Sequence, residues 1–277
     1  MNFFVSDATG FIGSHFLNTL FKNGHEVVAL RRKSTEPRID LIKEPTWCTG
    51  KLNADWSKQL KSCDAFVHLA CAGVNKNMND WEYCFEVNVN QSFALWKSAI
   101  DSGIKNFLIC GSCSEYGKSG EEYEYIPATA RLKPVGAYGT SKAVASISAM
   151  GLARTFDLNL VVARLFHTFG KGEAETRFWP SLLKASCDNV DFAMSKGEQI
   201  RDFMPVADVS KELFNLAINL SQFPSGGIIK NIGTGCPVSL LEFATKEWEK
   251  RNSKGKLIPG AIPYRQQEIM RYVPLID

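Results

Sequence analysis

Short apolar runs alternate with amphipathic segments from the first residues of this chain onward. Runs typical of buried strands lie at residues 2–6, 27–30, 64–70, 107–109 and 160–163. Apolar residues at helical spacing cover residues 11–22, 80–102 and 138–156. Because strands and helices that alternate in this way form a parallel sheet with helices on both faces, the pattern predicts a doubly wound α/β fold.

Composition and charge narrow the class of protein. The chain has 277 residues, of which 45% are hydrophobic and 22% are charged, and its net charge is +3. This charge is too small and too scattered to indicate a nucleic-acid partner. No apolar run reaches the roughly 18 residues of a membrane helix, and Met1–Val5 has no basic flank, so no signal peptide is predicted. We therefore expect a cytoplasmic protein that binds neither nucleic acid nor membrane.

The 8 cysteines show no disulfide framework, as expected in a reducing compartment. Cys110 and Cys113 form one C-x-x-C motif, a spacing found in redox pairs and in zinc sites. The sequence has no second such motif, and Cys110 ends an apolar run. We interpret the two as unlinked thiols at a strand end and expect no bound metal.

A glycine-containing turn lies between the first strand and the first helix. Gly10, Phe11, Ile12 and Gly13 open that helix shortly after strand residues 2–6. Glycines at this point let backbone N–H groups at a helix N-terminus approach a pyrophosphate. The alternative is a tight turn without a ligand, but the position at the first strand-to-helix connection favours a dinucleotide.

The end of the second strand indicates which dinucleotide is bound. An acidic residue there holds the ribose hydroxyls of NAD, whereas arginine accommodates the 2′-phosphate of NADP. Arg31 and Arg32 stand at this strand end, and no acidic residue follows before Glu36. Such charges can also belong to a solvated loop, but at this position they favour NADP(H) over NAD(H).

The alternation of strands and helices loosens after about Phe166, where prolines separate shorter elements. We predict a dinucleotide-binding Rossmann domain over residues 1–165 and a smaller C-terminal α/β lobe over residues 166–277, some of whose segments return to the first domain. Ligands of doubly wound folds bind at the carboxyl edge of the sheet, so we expect this lobe to bind the substrate there.

Tyr138 and Lys142 lie one helical turn apart on the helix predicted over residues 138–156. A phenol beside an ammonium can pass a proton to or from a substrate oxygen near neutral pH. Ser112, after the strand at residues 107–109, adds a hydroxyl from another element. The pair by itself is also compatible with a solvated helix face, but its place in a nucleotide-binding fold favours catalysis.

Together these motifs resemble the extended short-chain dehydrogenases/reductases and, among them, the NAD-dependent epimerase/dehydratase family, whose members act on nucleotide-diphosphate sugars. The similar segments follow the order of the family: the glycine turn and residues 68–70, 88–90, 111–112, 138–142, 163–166, 201–203 and 231–235. The resemblance implies that Tyr138 is the general acid or base and that Lys142 holds the nicotinamide ribose and lowers the pKa of the phenol. It also implies that Ser112 orients the reacting carbonyl oxygen.

The resemblance further implies which residues contact the two ligands. Besides the glycine turn, Arg31 and Arg32, the residues expected at the cofactor are Leu69, Ala70, Asn88, Tyr138 and Lys142. The residues expected at the substrate are Ser114, His167, Arg201 and Arg265. The two arginines would bind its phosphates, with a surface salt bridge as their alternative. His167 replaces a family asparagine that touches the diphosphate, and its alternative is a buried, hydrogen-bonded imidazole.

Departures from the family pattern bear on the chemistry. Asp7 stands where the family has glycine, so its carboxyl would lie near an anionic pyrophosphate. Cys113 and Ser114 replace the acidic pair with which the sugar 4,6-dehydratases remove water, so dehydration is disfavoured. The chain's 4 histidines include none after residues 177–180, where epimerisation at carbons 3 and 5 would need one.

Two enzymatic functions remain. The first, which Arg31 and Arg32 favour, is the NADPH-dependent reduction of a nucleotide-linked 4-keto-6-deoxy sugar in the supply of glycan precursors. The second is an NAD-dependent nucleotide-sugar 4-epimerase, and a dinucleotide-binding protein without catalysis is a third hypothesis. Family members often dimerise through the two long helices, so we expect a homodimer. The residues available for that contact are Phe93, Leu95, Trp96, Ile147 and Met150.

Overall fold

The computed structural model describes residues 1–74 and 79–276. Its strands are β1 (Asn2–Ser6), β2 (Glu26–Arg31), β3 (Thr46–Thr49), β4 (Ala65–His68), β5 (Asn106–Ser112), β6 (Asn159–Leu165), β7 (His167–Phe169), β8 (Phe192–Met194), β9 (Ile200–Arg201), β10 (Phe203–Pro205), β11 (Ile228–Ile232), β12 (Val238–Ser239), β13 (Leu257–Pro259) and β14 (Arg271–Tyr272). Its α-helices are α1 (Phe11–Lys22), α2 (Ser57–Leu60), α3 (Trp81–Phe85), α4 (Ser92–Asp101), α5 (Gly136–Phe156), α6 (Phe178–Asp188), α7 (Val206–Ile218) and α8 (Leu240–Glu249).

Seven strands form one parallel sheet in the order β11-β6-β5-β4-β1-β2-β3, which confirms the predicted doubly wound Rossmann fold. The order reverses direction between β1 and β4. In such sheets the loops leaving two neighbouring strands diverge at this point and open a crevice at the carboxyl edge. The turn after β1 and the loop after β4 are therefore the two walls of the expected dinucleotide site.

The core consists of two apolar layers, one on each face of the sheet. Successive side chains of a strand point to opposite faces, so Phe3 and Val5 of β1 pack under α1 and α7, whereas Phe4 packs with α4 and α5. All three side chains are fully buried. A central strand buried on both faces explains why β1 has a continuous apolar sequence.

Several predicted elements differ from the observed ones. The short edge strand β3 was not predicted from the sequence. The helix predicted over residues 80–102 is α3 and α4 joined by a π-helical segment, Glu86–Gln91. Leu95 and Trp96 were expected to be available for a dimer contact, but each is 1% exposed and belongs to the core. Phe93 and Ile147, in contrast, are 43% and 63% exposed.

The second half of the chain contributes to both parts of the molecule. β11 completes the main sheet beside β6, and α7 covers one face of it. A separate apolar cluster joins α6, α8 and β8 through residues such as Leu182, Met194 and Trp248. The division of the chain into domains at residue 165 stays a prediction. Within residues 1–74 and 79–276, no helix is both long enough and apolar enough to cross a bilayer.

Candidate active site

A cavity of about 1550 Å³ lies at the carboxyl edge of the sheet and extends under the C-terminal segments. Single small-ligand pockets usually measure about 300–1000 Å³, so this volume has room for two ligands side by side. One end is lined by the turn after β1, and the other by residues of the C-terminal half. The catalytic candidates lie between these ends.

The glycine turn fits a dinucleotide pyrophosphate. Gly10, Phe11 and Ile12 line the cavity at the N-terminus of α1, where free backbone N–H groups and the helix dipole attract an anion. A Cβ on Gly10 would lie 2.2 Å from Oδ2 of Asp7, and one on Gly13 would lie 2.2 Å from the Asp7 carbonyl oxygen. Position 13 therefore requires glycine, since the contact there is with backbone, whereas a side chain at position 10 would have to displace the Asp7 carboxyl. Gly13 does not line the cavity; instead, it lets α1 pack against the turn.

The two arginines predicted at the 2′-phosphate are placed differently. Arg32 lines the cavity, together with Arg38, which the sequence analysis did not single out. The guanidinium of Arg31 lies 4.6 Å from the ring centre of Trp47, and its Nη1 lies 3.5 Å from Oε2 of Glu36. Arg32 therefore lies in the wall of the cavity, whereas Arg31 contacts Trp47 and Glu36 and does not line the cavity.

Ser112, Tyr138 and Lys142 all line this one cavity. Ser112 ends β5, and its hydroxyl is close enough to the Tyr138 phenol to affect the pKa of that phenol. Lys142 is buried and donates from Nζ to the Cys110 carbonyl oxygen at 2.6 Å. The three side chains reach one space from the end of a strand and from the first turns of α5. A carbonyl group in that space would face both hydroxyls.

A buried ion pair fixes the backbone at Ser112. The Ser112 N–H donates to Oε1 of Glu115 at 2.8 Å, and the Ser112 hydroxyl accepts from the Ser114 N–H at 3.2 Å. Nε of Arg164 donates to the other oxygen of Glu115 at 2.7 Å, and the side chains of both residues are at most 2% exposed. The serine hydroxyl is therefore held by a rigid turn and remains aimed at the cavity.

The pKa of Tyr138 is raised in the structure, whereas the sequence led us to expect that Lys142 lowers it. Burial raises the pKa of the Tyr138 phenol, and the Ser112 hydroxyl and the charge of Arg177 offset this increase only in part. The resemblance to the family implied that Lys142 lowers the pKa of this phenol. In the structure burial is the dominant effect on that pKa, and the Lys142 ammonium donates to the Cys110 carbonyl. The phenol is therefore in its neutral, proton-donating form at neutral pH.

The loop after β4 is held by a buried hydroxyl–imidazole–hydroxyl chain. Nδ1 and Nε2 of His68 each lie 3.0 Å from a serine oxygen, that of Ser6 and that of Ser92 respectively. Oγ of Ser6 also accepts from the N–H groups of Leu69 and Ala70. Burial lowers the pKa of His68 to about 3, so the ring is neutral and one of its nitrogens accepts.

Of the loop residues predicted at the cofactor, Leu69 lines the cavity, whereas Ala70 does not. Asn88 is also absent from the cavity wall. Its side chain pairs with the N–H and carbonyl of Ala72 at 2.7 and 3.1 Å and donates to Oγ of Ser141 at 2.9 Å. Asn88 thus ties the loop after β4 to the helix that carries Tyr138, and it positions the site from behind.

All four residues predicted at the substrate line the cavity: Ser114, His167, Arg201 and Arg265. Nδ1 of His167 is buried and has no hydrogen-bond partner among the described residues. Burial, assisted by the charges of Arg201 and Arg177, keeps the pKa of His167 well below its ordinary value. His167 therefore offers a neutral ring to a ligand and does not supply a positive charge to a phosphate.

Arg201 is 6% exposed and has partners within the protein. Its Nη2 donates to Oε1 of Glu268 at 2.7 Å and to the Ile269 carbonyl at 2.6 Å, and its Nη1 donates to the Ile200 carbonyl at 2.9 Å. Glu268 also lines the cavity. The predicted phosphate contact of Arg201 would thus be made by a guanidinium that an acidic neighbour already holds in place.

Sequence reasoning missed four charged residues of the wall: Arg38, Glu173, Arg177 and Glu268. Each lies in a loop or just before a helix, where neither periodicity nor motif spacing marks a residue. Arg177 donates to the Val74 carbonyl at 3.1 Å and to Glu173 at 3.2 Å, which brings a cation near Tyr138. Among the described residues, no group of three or more acidic, histidine or cysteine side chains is arranged to hold a metal ion.

The chain is similar to known proteins over most of its length. Residues 4–233 match the model of the NAD dependent epimerase/dehydratase family. The chain is 29% identical to a CDP-abequose synthase of Salmonella typhimurium, over 96% of this chain and 87% of that protein. It is 25% identical to a dTDP-6-deoxy-L-talose 4-dehydrogenase (NAD(+)) of Aggregatibacter actinomycetemcomitans, over 98% of each.

A UDP-glucose 4-epimerase of Yersinia enterocolitica is 26% identical over 96% of this chain and 86% of its own length. Among solved structures, MoeE5 in complex with UDP-glucuronic acid and NAD superposes with a TM-score of 0.85. It is 25% identical, and the match covers all of this chain and 90% of that one. The fold of this chain is therefore that of a protein solved with a dinucleotide and a nucleotide sugar bound together.

Proposed function

Because the chain belongs to the NAD-dependent epimerase/dehydratase family, we propose that it is an NADPH-dependent reductase of a nucleotide-diphosphate-linked 4-keto-6-deoxy sugar, in the supply of glycan precursors. The family and its nucleotide-sugar relatives make it an enzyme that modifies nucleotide-linked sugars. The observation that supports the finer assignment is the pair of cations, Arg32 and Arg38, that line the cavity together with the glycine turn.

The residues of the site account for the proton in such a reduction. When it is bound, a reduced nicotinamide supplies a hydride to carbon 4. Tyr138 donates its phenolic proton to the carbonyl oxygen as negative charge develops there. Ser112 donates a hydrogen bond to the same oxygen, and its rigid turn holds that donor in place. Lys142, which lines the same cavity, would hold the nicotinamide ribose.

A reductase and a 4-epimerase would begin with different forms of the Tyr138 phenol. A 4-epimerase must first remove a proton from the hydroxyl on carbon 4, and this requires the phenolate. A reductase needs the neutral phenol, which is the form that burial favours at Tyr138. The relative that acts at carbon 4 of a dTDP-6-deoxy sugar, the dTDP-6-deoxy-L-talose 4-dehydrogenase, agrees with redox chemistry at that carbon.

The charges at the end of β2 support NADPH as the reductant. Arg32 and Arg38 line the cavity beside the turn, where an arginine accommodates the 2′-phosphate. Glu36 also lines the cavity, but it pairs with Arg31. Two cations in this position suit a cofactor that carries an additional phosphate. A reductase has to exchange this cofactor after each turnover.

An NAD-dependent 4-epimerase is the second candidate. The same three catalytic residues would serve it, and the similarity to a UDP-glucose 4-epimerase and to MoeE5 solved with NAD supports it. An epimerase regenerates its cofactor within one turnover and keeps it bound. The two candidates therefore differ in what the purified protein carries.

We also propose that the protein is a cytoplasmic homodimer. Phe93 on α4 and Ile147 on α5 are exposed, although both helices pack against the sheet with their other faces. Trp81 and Tyr83, both on α3, are likewise 52% and 40% exposed. An apolar surface shared by consecutive helices is typical of a contact between subunits.

One experiment separates the candidates. The protein is purified, its bound nucleotides are released and identified, and NADPH oxidation is followed with CDP-, dTDP-, GDP- and UDP-linked 4-keto-6-deoxyglucose. The reductase predicts little bound NAD and NADPH oxidation with at least one substrate, and this activity should fall about 10²- to 10⁴-fold in Tyr138→Phe.

Stoichiometric bound NAD, no oxidation of NADPH, and interconversion of UDP-glucose and UDP-galactose would establish the epimerase instead. Dinucleotide binding without turnover of any of these substrates would favour the non-catalytic hypothesis. Full activity in Tyr138→Phe would contradict the assignment of the proton donor.

A further inference from the structure

Asp7 occupies the residue position at which β1 turns into α1. Its φ of +53° is a left-handed conformation, which aspartate adopts more readily than most residues. Asp7 lines the cavity together with Gly10 and Phe11. A carboxyl group therefore forms part of the wall that the pyrophosphate of a dinucleotide would contact.

The side chain of Asp7 lies directly against Gly10. A Cβ on Gly10 would be 2.2 Å from Oδ2 of Asp7, so the carboxyl fills the space that a side chain there would occupy. Gly10 is the N-cap of α1, and the N–H groups that follow it point to the same space. An anion held by these N–H groups would therefore lie on the side of Gly10 where the Asp7 carboxyl is placed.

The charges around Asp7 come from three segments. Arg32 follows β2, Arg38 belongs to the loop between β2 and β3, and the thiol of Cys71 follows β4. Burial raises the pKa of Asp7 to about 7, and the two arginines offset this effect only in part. None of the hydrogen bonds formed by the described residues engages the Asp7 carboxyl oxygens.

We propose that Asp7 contacts the dinucleotide as a neutral carboxylic acid, which donates a hydrogen bond to a pyrophosphate oxygen, so that binding takes up one proton from solvent. The proposal rests on the dinucleotide site of the proposed function. A carboxylate beside a pyrophosphate would repel it. A carboxylic acid instead adds one hydrogen-bond donor to those of the helix N-terminus. The proton returns to solvent when the dinucleotide leaves.

Proton uptake makes the affinity depend on pH. At low pH the carboxyl is already protonated, and binding is independent of pH. As the pH rises above neutrality, each further unit lowers the affinity about tenfold, because one proton must be bound with each ligand. A glycine at this position has no such dependence, so Asp7 weakens retention of the cofactor at alkaline pH and favours its exchange.

The test measures binding rather than activity. NADH and NADPH are titrated by calorimetry into wild-type protein, Asp7→Asn and Asp7→Gly between about pH 6 and pH 9, in buffers of different ionisation enthalpy. NADH is the decisive probe, because it lacks the 2′-phosphate, which titrates in the same range. Asp7→Asn keeps the shape of the side chain without its charge, and Asp7→Gly removes it.

The expected result for wild-type protein is an NADH Kd that rises about tenfold per pH unit above neutrality, with close to one proton taken up near pH 8. Both variants should show a nearly constant Kd and no proton uptake. The same pH dependence in wild type and Asp7→Asn, or proton release on binding, would overturn the inference and leave the proposed function intact. Absence of binding in all three proteins at every pH would overturn both.

Discussion

Tyr138 and Ser112 show what a single residue contributes to this site. The phenol supplies the proton and the serine fixes the oxygen that receives it, and each depends on its own surroundings for the correct form. Burial keeps the phenol neutral, and the Glu115–Arg164 pair holds the serine turn. The chemistry is therefore determined by the environment of the hydroxyls as much as by their identity.

The selectivity for NADPH can be tested at one arginine. Arg32→Ala should weaken NADPH about tenfold to a hundredfold, the value of a charged hydrogen bond of about 1.5–3 kcal/mol, and should leave NADH nearly unchanged. Arg31→Ala is the matched control, because Trp47 and Glu36 hold that guanidinium away from the cavity. Binding titrations of both cofactors provide the measurement. Equal losses for NADPH and NADH in Arg32→Ala would contradict the 2′-phosphate site.

Most residues of the site could be predicted from the sequence, because they occur in motifs with a defined spacing. Ser112, Tyr138, Lys142 and the glycine turn were expected in one place, and the structure brings them to one cavity. Arg38 and Arg177 were not expected, because loop residues reach a site through tertiary folding that no local pattern encodes. Asn88 was assigned to the cofactor, although its amide is used to hold the loop after β4.

At the scale of elements, the site depends on the ends of strands and on the turns that follow them. The turn after β5 is stabilised by Glu115, which accepts from the Ser112 N–H and pairs with Arg164 of β6. Both side chains are buried, so neither charge has water as an alternative partner. The pair therefore couples the position of the catalytic serine to the stability of two neighbouring strands.

Replacing one member of the Glu115–Arg164 pair should destabilise the folded protein. Arg164→Met leaves the Glu115 carboxylate buried without its cation, and the free energy of unfolding should fall by about 3–5 kcal/mol. Lys184→Met is the matched control, since Lys184 and Asp188 form an exposed pair on α6, and its removal should cost less than about 1 kcal/mol. Denaturant titrations measure both. Similar small losses in the two variants would contradict the structural role given to Arg164.

The elements that sequence patterns failed to predict are those with weak local signals. β3 has four residues at the edge of the sheet, too few to show a period. The π-helical segment in the long helix cannot be distinguished from α-helix by apolar spacing over six residues. α1 was predicted with its observed bounds, because apolar residues, the glycine turn and Asn23–Gly24 define its face and both ends.

At the scale of the whole molecule, the cavity belongs to both halves of the chain. The first half supplies the dinucleotide turn and the catalytic residues, and the second supplies Arg201, Arg265 and Glu268 at the other end. The fold class followed from the alternation of elements alone. The shape of the C-terminal segments did not, because their strands have two or three residues and their packing depends on contacts distant in sequence.

The proposed homodimer can be tested at its exposed surface. Ile147→Glu places a charge in the apolar surface of α4 and α5 and should convert a dimer to a monomer in sedimentation experiments. Ile42→Glu is the matched control, because Ile42 is 57% exposed but lies in a loop outside these helices. A monomeric wild type, or a dimer that Ile147→Glu leaves intact, would contradict the proposed contact.

The most direct test of the proposed reduction follows the hydride from the nicotinamide to carbon 4 of the sugar. NADPH carrying deuterium at the reactive position of the nicotinamide is incubated with the protein and the 4-keto-6-deoxy sugar nucleotide that supports turnover, and the product is analysed by NMR. The account predicts deuterium on carbon 4 of the sugar with wild-type protein, and formation of the labelled product about 10²- to 10⁴-fold more slowly with Tyr138→Phe. Product without deuterium on carbon 4, or equally fast labelling with Tyr138→Phe, would contradict it.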